Sequence, residues 1–354
     1  MTAQVTARTP VREVSPSQRV GPAARGRALR EIAPVVAVLA IAVAATPLLL
    51  GSAGLMDTSI TIATFAIMAI SLGIAYGLGD MLSLAQATFG AVGAYATAIA
   101  TTSWGVSPWL SLILAIALPA AISYGMARLI VRLSPLALAL ATLAFAELFE
   151  LAVNEGGDLT GGYIGIGAIP ALPLPNPAVS AHVLGWVLVA LAMLVALRLR
   201  ASNPGRALLA IGTDSVLAKS VGIQVNSHLA ATFSLAGGIA GVAGWFYAHT
   251  RGYLAPNSLS LDISFMIAIA VIVGGRRTIL GPVVGTILIV LLRDHVPGET
   301  SHGMFYGAGL VAALLLFPEG VTGESWAARW RRWRSRSSSD RLVRTLGARK
   351  EGKA

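Results

Sequence analysis

Long apolar runs recur along this chain at a spacing set by a lipid bilayer and not by a soluble core. Ten can be drawn, at residues 33–50, 58–79, 83–102, 106–127, 134–153, 177–197, 227–250, 258–275, 278–292 and 303–318. A hydrocarbon core of about 30 Å needs roughly 20 apolar residues of helix, and most of these runs approach that length. The pattern predicts an all-α fold, a polytopic transmembrane helical bundle of about ten spans. A basic, disordered arm is expected at residues 1–30, the membrane domain at 31–323 and a basic tail at 324–354. Ala42-Val43-Ala44 looks like a signal cleavage site, but the arm before it is long for an n-region, which favours a retained first span.

Charge fixes the expected orientation. Basic residues near span ends are held on the cytoplasmic side. With the arm inside and ten crossings, both termini are cytoplasmic, and of the 26 Lys and Arg residues only Arg251 and Arg293 fall outside. The inner connections then carry Arg128 and Arg132, then Arg198, Arg200, Arg206 and Lys219, then Arg276 and Arg277. A re-entrant hairpin at 258–292 is the alternative, but it would draw Arg276 and Arg277 into the membrane at about 2.5 to 3.5 kcal/mol each. The composition agrees: 12% charged and 55% hydrophobic residues, against about 25% charged in soluble domains. The net charge of +10 therefore reflects membrane sidedness, and no nucleic-acid partner is expected. Trp326, Trp330 and Trp333 in the basic tail suit either a headgroup-bound segment or a solvated one.

Helices gain little by leaving lipid for one another, so close contacts must come from small residues. The pairs Gly73/Gly77, Gly237/Gly241, Gly281/Gly285 and Gly303/Gly307 have G-x-x-x-G spacing, and Gly244 extends one such face. They predict ordinary but tight helix packing, within the chain or against a second copy. The long outer stretch 154–176 has acids and no base, and Thr160-Gly161-Gly162 permits positive backbone angles. It is either a plain connection or an outer gate. The inner stretch 203–223 reads differently. Asn203-Pro204 is a helix-opening pair for a short helix through Ile211, Asp214 can cap a second from Ser215 to Val221, and Gly222 can end it. Two short helices make a platform, which suits a soluble partner.

Catalytic chemistry is missing. Ala218-Lys219-Ser220 is the nearest approach to a phosphate-binding loop, and it lacks the required glycines. No cysteine is present, the five His have no metal-ligand spacing, and neither a cofactor, a metal nor an enzyme activity is expected. Polar groups inside the spans are few. Glu147 lies three residues from Glu150 on one helix face, and Ser83, Gln86, Thr88 and Tyr95 share the third span, near Thr142 of the fifth in kind if not in sequence. These residues line a polar path or hydrogen-bond neighbouring helices. A stand-alone channel or secondary carrier is the alternative reading, although in-span charge pairs and a filter motif are not evident.

The residues from Gly79 to Tyr95, GDMLSLAQATFGAVGAY, resemble the signature of permease subunits of the branched-chain amino acid ABC importer family. Further blocks agree in order: Ala141 to Glu147 with Leu159 to Gly162, Gly205 to Leu208 through Ser220 to Ile223, Gly274 to Gly285, and Phe317 to Gly320. The resemblance runs over about residues 58–323. It implies a cell-membrane permease with two cytoplasmic ATPase subunits, a second permease subunit of the same or a homologous kind, and an extracytoplasmic solute-binding protein. It implies that Gly205, Arg206, Asp214, Ala218 and Gly222 belong to the coupling segment. The chain departs from the family pattern at Gly212 and Asp214-Ser215, at Gln86 and at Arg276-Arg277, so the solute implied is a branched-chain amino acid or a related urea, amide or aromatic acid.

Overall fold

The computed structural model describes residues 22–130, 133–295 and 320–322. The long helices are α1 (Pro22–Leu49), α2 (Ala53–Gly79), α3 (Gln86–Thr102), α4 (Pro108–Ile130), α5 (Pro135–Asn154), α7 (Pro177–Ala201), α10 (Val225–Arg251), α11 (Leu261–Gly274) and α12 (Gly281–His295). Between them lie the short helices α6 (Gly157–Thr160), α8 (Asn203–Thr213) and α9 (Ser215–Ser220), and a 3-10 turn at Pro256–Leu259. The described residues form an all-α bundle, and seven of its helical segments are long and apolar enough to cross a membrane. The first nine expected segments coincide with helices, while the tenth, 303–318, lies outside the described residues. Helix α3 and the apolar part of α12 are shorter than the seven. Helix α1 begins within the basic arm, because Pro22 suits a first helical turn and Ala23 to Arg30 are mostly strong helix formers.

Helix α2 is apolar on every side and is the most enclosed of the spans. Its two ends are marked by ion pairs. At one end Arg251 Nη1 lies 2.7 Å from Asp57 Oδ1, with Nη2 2.7 Å from Thr61 Oγ1. At the other, Asp80 closes α2 in the left-handed region (φ 55°) and pairs with Arg276, whose guanidinium also lies 4.6 Å from the Tyr76 ring centre. The interval from Asp57 to Asp80 corresponds to about 34 Å of helix, close to one bilayer core. Partly exposed ion pairs of this kind are worth about 0–1 kcal/mol, so they set register more than stability. They also place the Arg276-Arg277 turn level with the end of α2.

Glycines set the closest approaches. A Cβ on Gly244 of α10 would lie 1.8 Å from the Gly90 carbonyl oxygen of α3, and one on Gly241 would lie 1.9 Å from that of Ala115 in α4. Pro119, four residues after Ala115, has no N–H to occupy that carbonyl, so α10 packs where the α4 backbone is open. Gly93 of α3 meets the same point, its Cβ position 2.6 Å from Gly241 Cα. Gly73 and Gly77 admit Pro282 and the Arg276 carbonyl onto α2, and Gly285 admits the Ala270 carbonyl of α11. These G-x-x-x-G pairs are therefore contacts within the chain, and Gly303/Gly307 lies outside the described residues.

Helix α1 is held by a closed polar relay. Trp186 Nε1 of α7 donates to Ser59 Oγ of α2 at 3.1 Å, and Ser59 Oγ lies 3.0 Å from His182 Nδ1. His182 Nε2 lies 3.1 Å from the Ala42 carbonyl, which can only accept, so Nε2 carries the proton and Nδ1 receives the Ser59 hydroxyl.

Replacing Gly241 or Gly244 with Ala drives a methyl into backbone. We expect a loss of about 1–3 kcal/mol for each, and more for Leu, read as a lower heat-unfolding midpoint of the purified protein.

Candidate functional site

The platform at residues 203–223 is built from three local signals. Ser202, not Asn203, caps α8: its backbone is extended (ψ 168°) and its Oγ accepts from Gly205 N at 3.2 Å. Asn203 instead occupies the first helical position and its side chain receives the Arg206 guanidinium. Asp214 serves both helices, its N–H closing α8 onto the Ala210 carbonyl at 3.0 Å while Oδ1 accepts Val216 N and Leu217 N at 2.9 Å each. Gly222, at φ 87°, ends α9 with a Schellman pair, Gly222 N to Lys219 O at 3.1 Å and Ile223 N to Ala218 O at 3.1 Å. Each bond satisfies a helix-end group that two such short helices would otherwise leave open.

This platform is seated, not tethered. Leu208, Ile211 and Ala218 are buried, and α8 packs against α2, α7 and α10. Gly205 lies so close to the end of α7 that a Cβ would sit 2.0 Å from the Leu199 carbonyl oxygen. Meanwhile Val216, Leu217 and Val221 are 78%, 61% and 70% exposed, an apolar tip on α9 pointing away from the bundle. Beside it opens a cavity of roughly 1130 Å³ whose lining includes Asp80, Leu138, Asp214, Lys219 and Gly222.

The expected path residues fall into two groups. Ser83, Gln86 and Thr142 meet at the break between α2 and α3, and all three are fully buried. Thr142 Oγ1 accepts Leu84 N at 2.9 Å and Ser83 Oγ accepts Ala85 N at 3.2 Å, while Gln86 Nε2 donates to Ser71. Ser264 of α11 takes Ala87 N at 3.0 Å. In a bilayer such a non-helical stretch is tolerated only when its backbone groups find partners, and Thr142, Ser83 and Ser264 supply them. Tyr95 and Glu147 lie in the other half of the bundle. Tyr95 is buried edge-on to Phe149 at 6.2 Å, whereas Glu147 is exposed on an open concavity of roughly 440 Å³ shared with Glu150, Asn257, Ser260 and Asp262. Asp262 escaped the sequence reading because an acid in a first helical turn looks like a simple helix-end charge.

The outer stretch is ordered by backbone pairing. Ile166 and Leu254 exchange two hydrogen bonds at 2.9 Å, Ile169 N reaches Gly252 O at 3.1 Å, and the Tyr253 hydroxyl donates to Ile164 O. Thr160 Oγ1 donates to Val153 O at 2.6 Å, and Gly161 and Gly162 take φ 75° and 54°. The turn presents Tyr163 and Ile164, 75% and 79% exposed. Among the described residues no group of acids and histidines could hold a metal ion.

Were Asp214 replaced by Ala, α9 would lose its cap, at about 1 kcal/mol. Amide exchange across 215–221 should quicken severalfold, with the spans unaffected.

Two curated relatives match most of this chain in sequence. The high-affinity branched-chain amino acid transport system permease proteins LivM of Salmonella typhimurium and Escherichia coli are each 25% identical over 339 residues, covering 88% of this chain and 79% of theirs. No solved structure matches the chain. The family described as branched-chain amino acid transport system / permease component matches residues 54–318. A match over that span takes in the α2–α3 break, the platform and the glycine-packed helices, and the chain belongs to this family of multi-pass membrane transport components.

Proposed function

We propose that this chain is a membrane subunit of an ATP-driven importer of branched-chain amino acids, worked through the α8–α9 platform by cytoplasmic ATPase subunits. The observation that carries this reading is a platform whose inner face is locked into α2, α7 and α10 and whose outer face is apolar and bare. Apolar side chains exposed at Val216, Leu217 and Val221 cost hydration free energy on a cytoplasmic face unless a partner covers them. Two ATPases would each receive one such tip, from this chain and from a second permease subunit.

The seating supports a reading of alternating access. Closure of the ATPases on ATP displaces α9, and because Gly205 and Gly212 leave no slack against Leu199 and Leu78, the motion passes to the helix ends instead of dissipating in a loop. Helices α3, α4 and α10 then tilt as a unit, since backbone contacts through Gly241 and Gly244 tie α10 to α3 and α4. The concavity bearing Glu147, Glu150 and Asp262 offers carboxylates to a ligand ammonium at the outer half, with Asn257 and Ser260 as neutral partners. Beyond these the spans provide few polar contacts, so most selectivity would reside in an extracytoplasmic binding protein, for which exposed Tyr163 and Ile164 are a docking candidate and Thr160 to Gly162 the hinge of an outer gate.

The test is Leu217→Asp, placed on an exposed position that the bundle does not need. We expect the permease to fold and reach the membrane while ATPase co-purification and amino acid uptake both fall at least tenfold. Unchanged uptake would remove the platform from the mechanism, and uptake by the chain in liposomes without any ATPase would favour a stand-alone carrier.

A further inference from the structure

At the inner end of the bundle, α2, α8 and the α11–α12 turn enclose a cavity of roughly 250 Å³ whose lining holds three guanidiniums, Arg200, Arg276 and Arg277, against one carboxylate, Asp80. Asp80 is taken by Arg276, so the charge of Arg200 and Arg277 is uncompensated there. Both side chains are exposed, and Arg200 reaches across to donate to the Arg277 carbonyl, which holds the two arginines at one place. A second, narrow slot shares all three arginines and runs between α2, α7 and α12 along Ile74, Ala196 and Ile279. The first cavity carries the charged groups, and the second, of only roughly 30 Å³, is bordered by the apolar side chains next to them.

We propose that this corner binds an anionic phospholipid, its phosphodiester on Arg200 and Arg277 and its apolar part against the bundle surface beside Ile74, Ala196 and Ile279. Guanidiniums present forked N–H donors that match phosphate oxygens, and basic pockets between spans on the cytoplasmic side select such headgroups. A soluble acidic partner or a free phosphate would satisfy the arginines but make no use of the apolar side chains of Ile74, Ala196 and Ile279 beside them. The chain itself returns to this corner, where Thr322 donates to the Gly274 carbonyl, before the strongly basic tail. The first cavity is also lined by Leu209 and Thr213 of α8, so a bound headgroup touches the platform and steadies it against the end of α2.

The experiment reconstitutes the full chain in nanodiscs of equal phosphatidylglycerol and phosphatidylcholine and counts co-released lipids by native mass spectrometry. The wild type should retain phosphatidylglycerol above its share of the bilayer. Arg200→Gln with Arg277→Gln should cut that enrichment about fivefold for each arginine removed, and Arg200→Lys with Arg277→Lys should restore most of it. An equal heat-unfolding midpoint in phosphatidylcholine alone certifies the variant's fold, and should the double variant fail it, Arg277→Gln alone carries the same test. Unchanged enrichment in a folded variant overturns the proposal. So does displacement of the lipid by millimolar inorganic phosphate, which would mark a site for the free anion. Loss of ATPase binding with lipid enrichment intact would assign the arginines to the soluble partner and equally overturn it.

Discussion

Backbone-to-backbone contact through glycine is what the rest of this structure depends on. Lipid tails solvate Leu and Val as well as a neighbouring helix does, so the apolar surface that drives soluble folding supplies little association here. What remains is dispersion at short range, and it is available only where side chains are absent. Gly241 and Gly244 bring α10 onto the carbonyls of Ala115 and Gly90, and Gly93 closes the junction from α3. The proline at 119 belongs to the same device, because it opens the α4 carbonyl that Gly241 approaches. Around that junction α2 is enclosed on every side, with ion pairs marking its two ends.

A bundle built on such contacts is stiff along its axes and can move mainly as blocks. The platform at the inner face inherits this stiffness. Its two helices are too short to be stable alone, and they persist because Ser202, Asp214 and Gly222 satisfy their ends and because Leu208, Ile211 and Ala218 are buried under α2 and α10. The outward face of α9, with Val216 and Leu217, is left without cover. Rigid seating on one side and bare apolar surface on the other is what the proposed coupling role rests on.

Much of this was legible in sequence, and the parts that were not have physical reasons. Helix positions could be read because the bilayer imposes hydrophobic length residue by residue. The platform could be read because Asp214 and Gly222 are local signals, although the cap fell one residue early, at Ser202, since Asn203 was drawn to Arg206 instead. The roles of Ser83, Gln86 and Thr142 could not be read. A polar side chain facing a pore and one serving an interrupted backbone have the same sequence, and only the structure sets Thr142 against Leu84 N. Asp262 joined Glu147 and Glu150 through the fold alone, as did Ser59, His182 and Trp186 in the relay that holds α1.

The central claim is that motion enters at the platform and is delivered to the outer half of the bundle. Since the chain has no cysteine, a single Glu147→Cys substitution reports on that outer concavity without background. The measurement is its rate of labelling by a membrane-impermeant thiol reagent, with the assembled ATPase idle and then trapped in its ATP-bound state. The account predicts a nucleotide-dependent rate that becomes indifferent to nucleotide when the tip residues Val216 and Val221 are made polar. A rate that ignores nucleotide in the native platform, or that still follows it after the tip is altered, would contradict it.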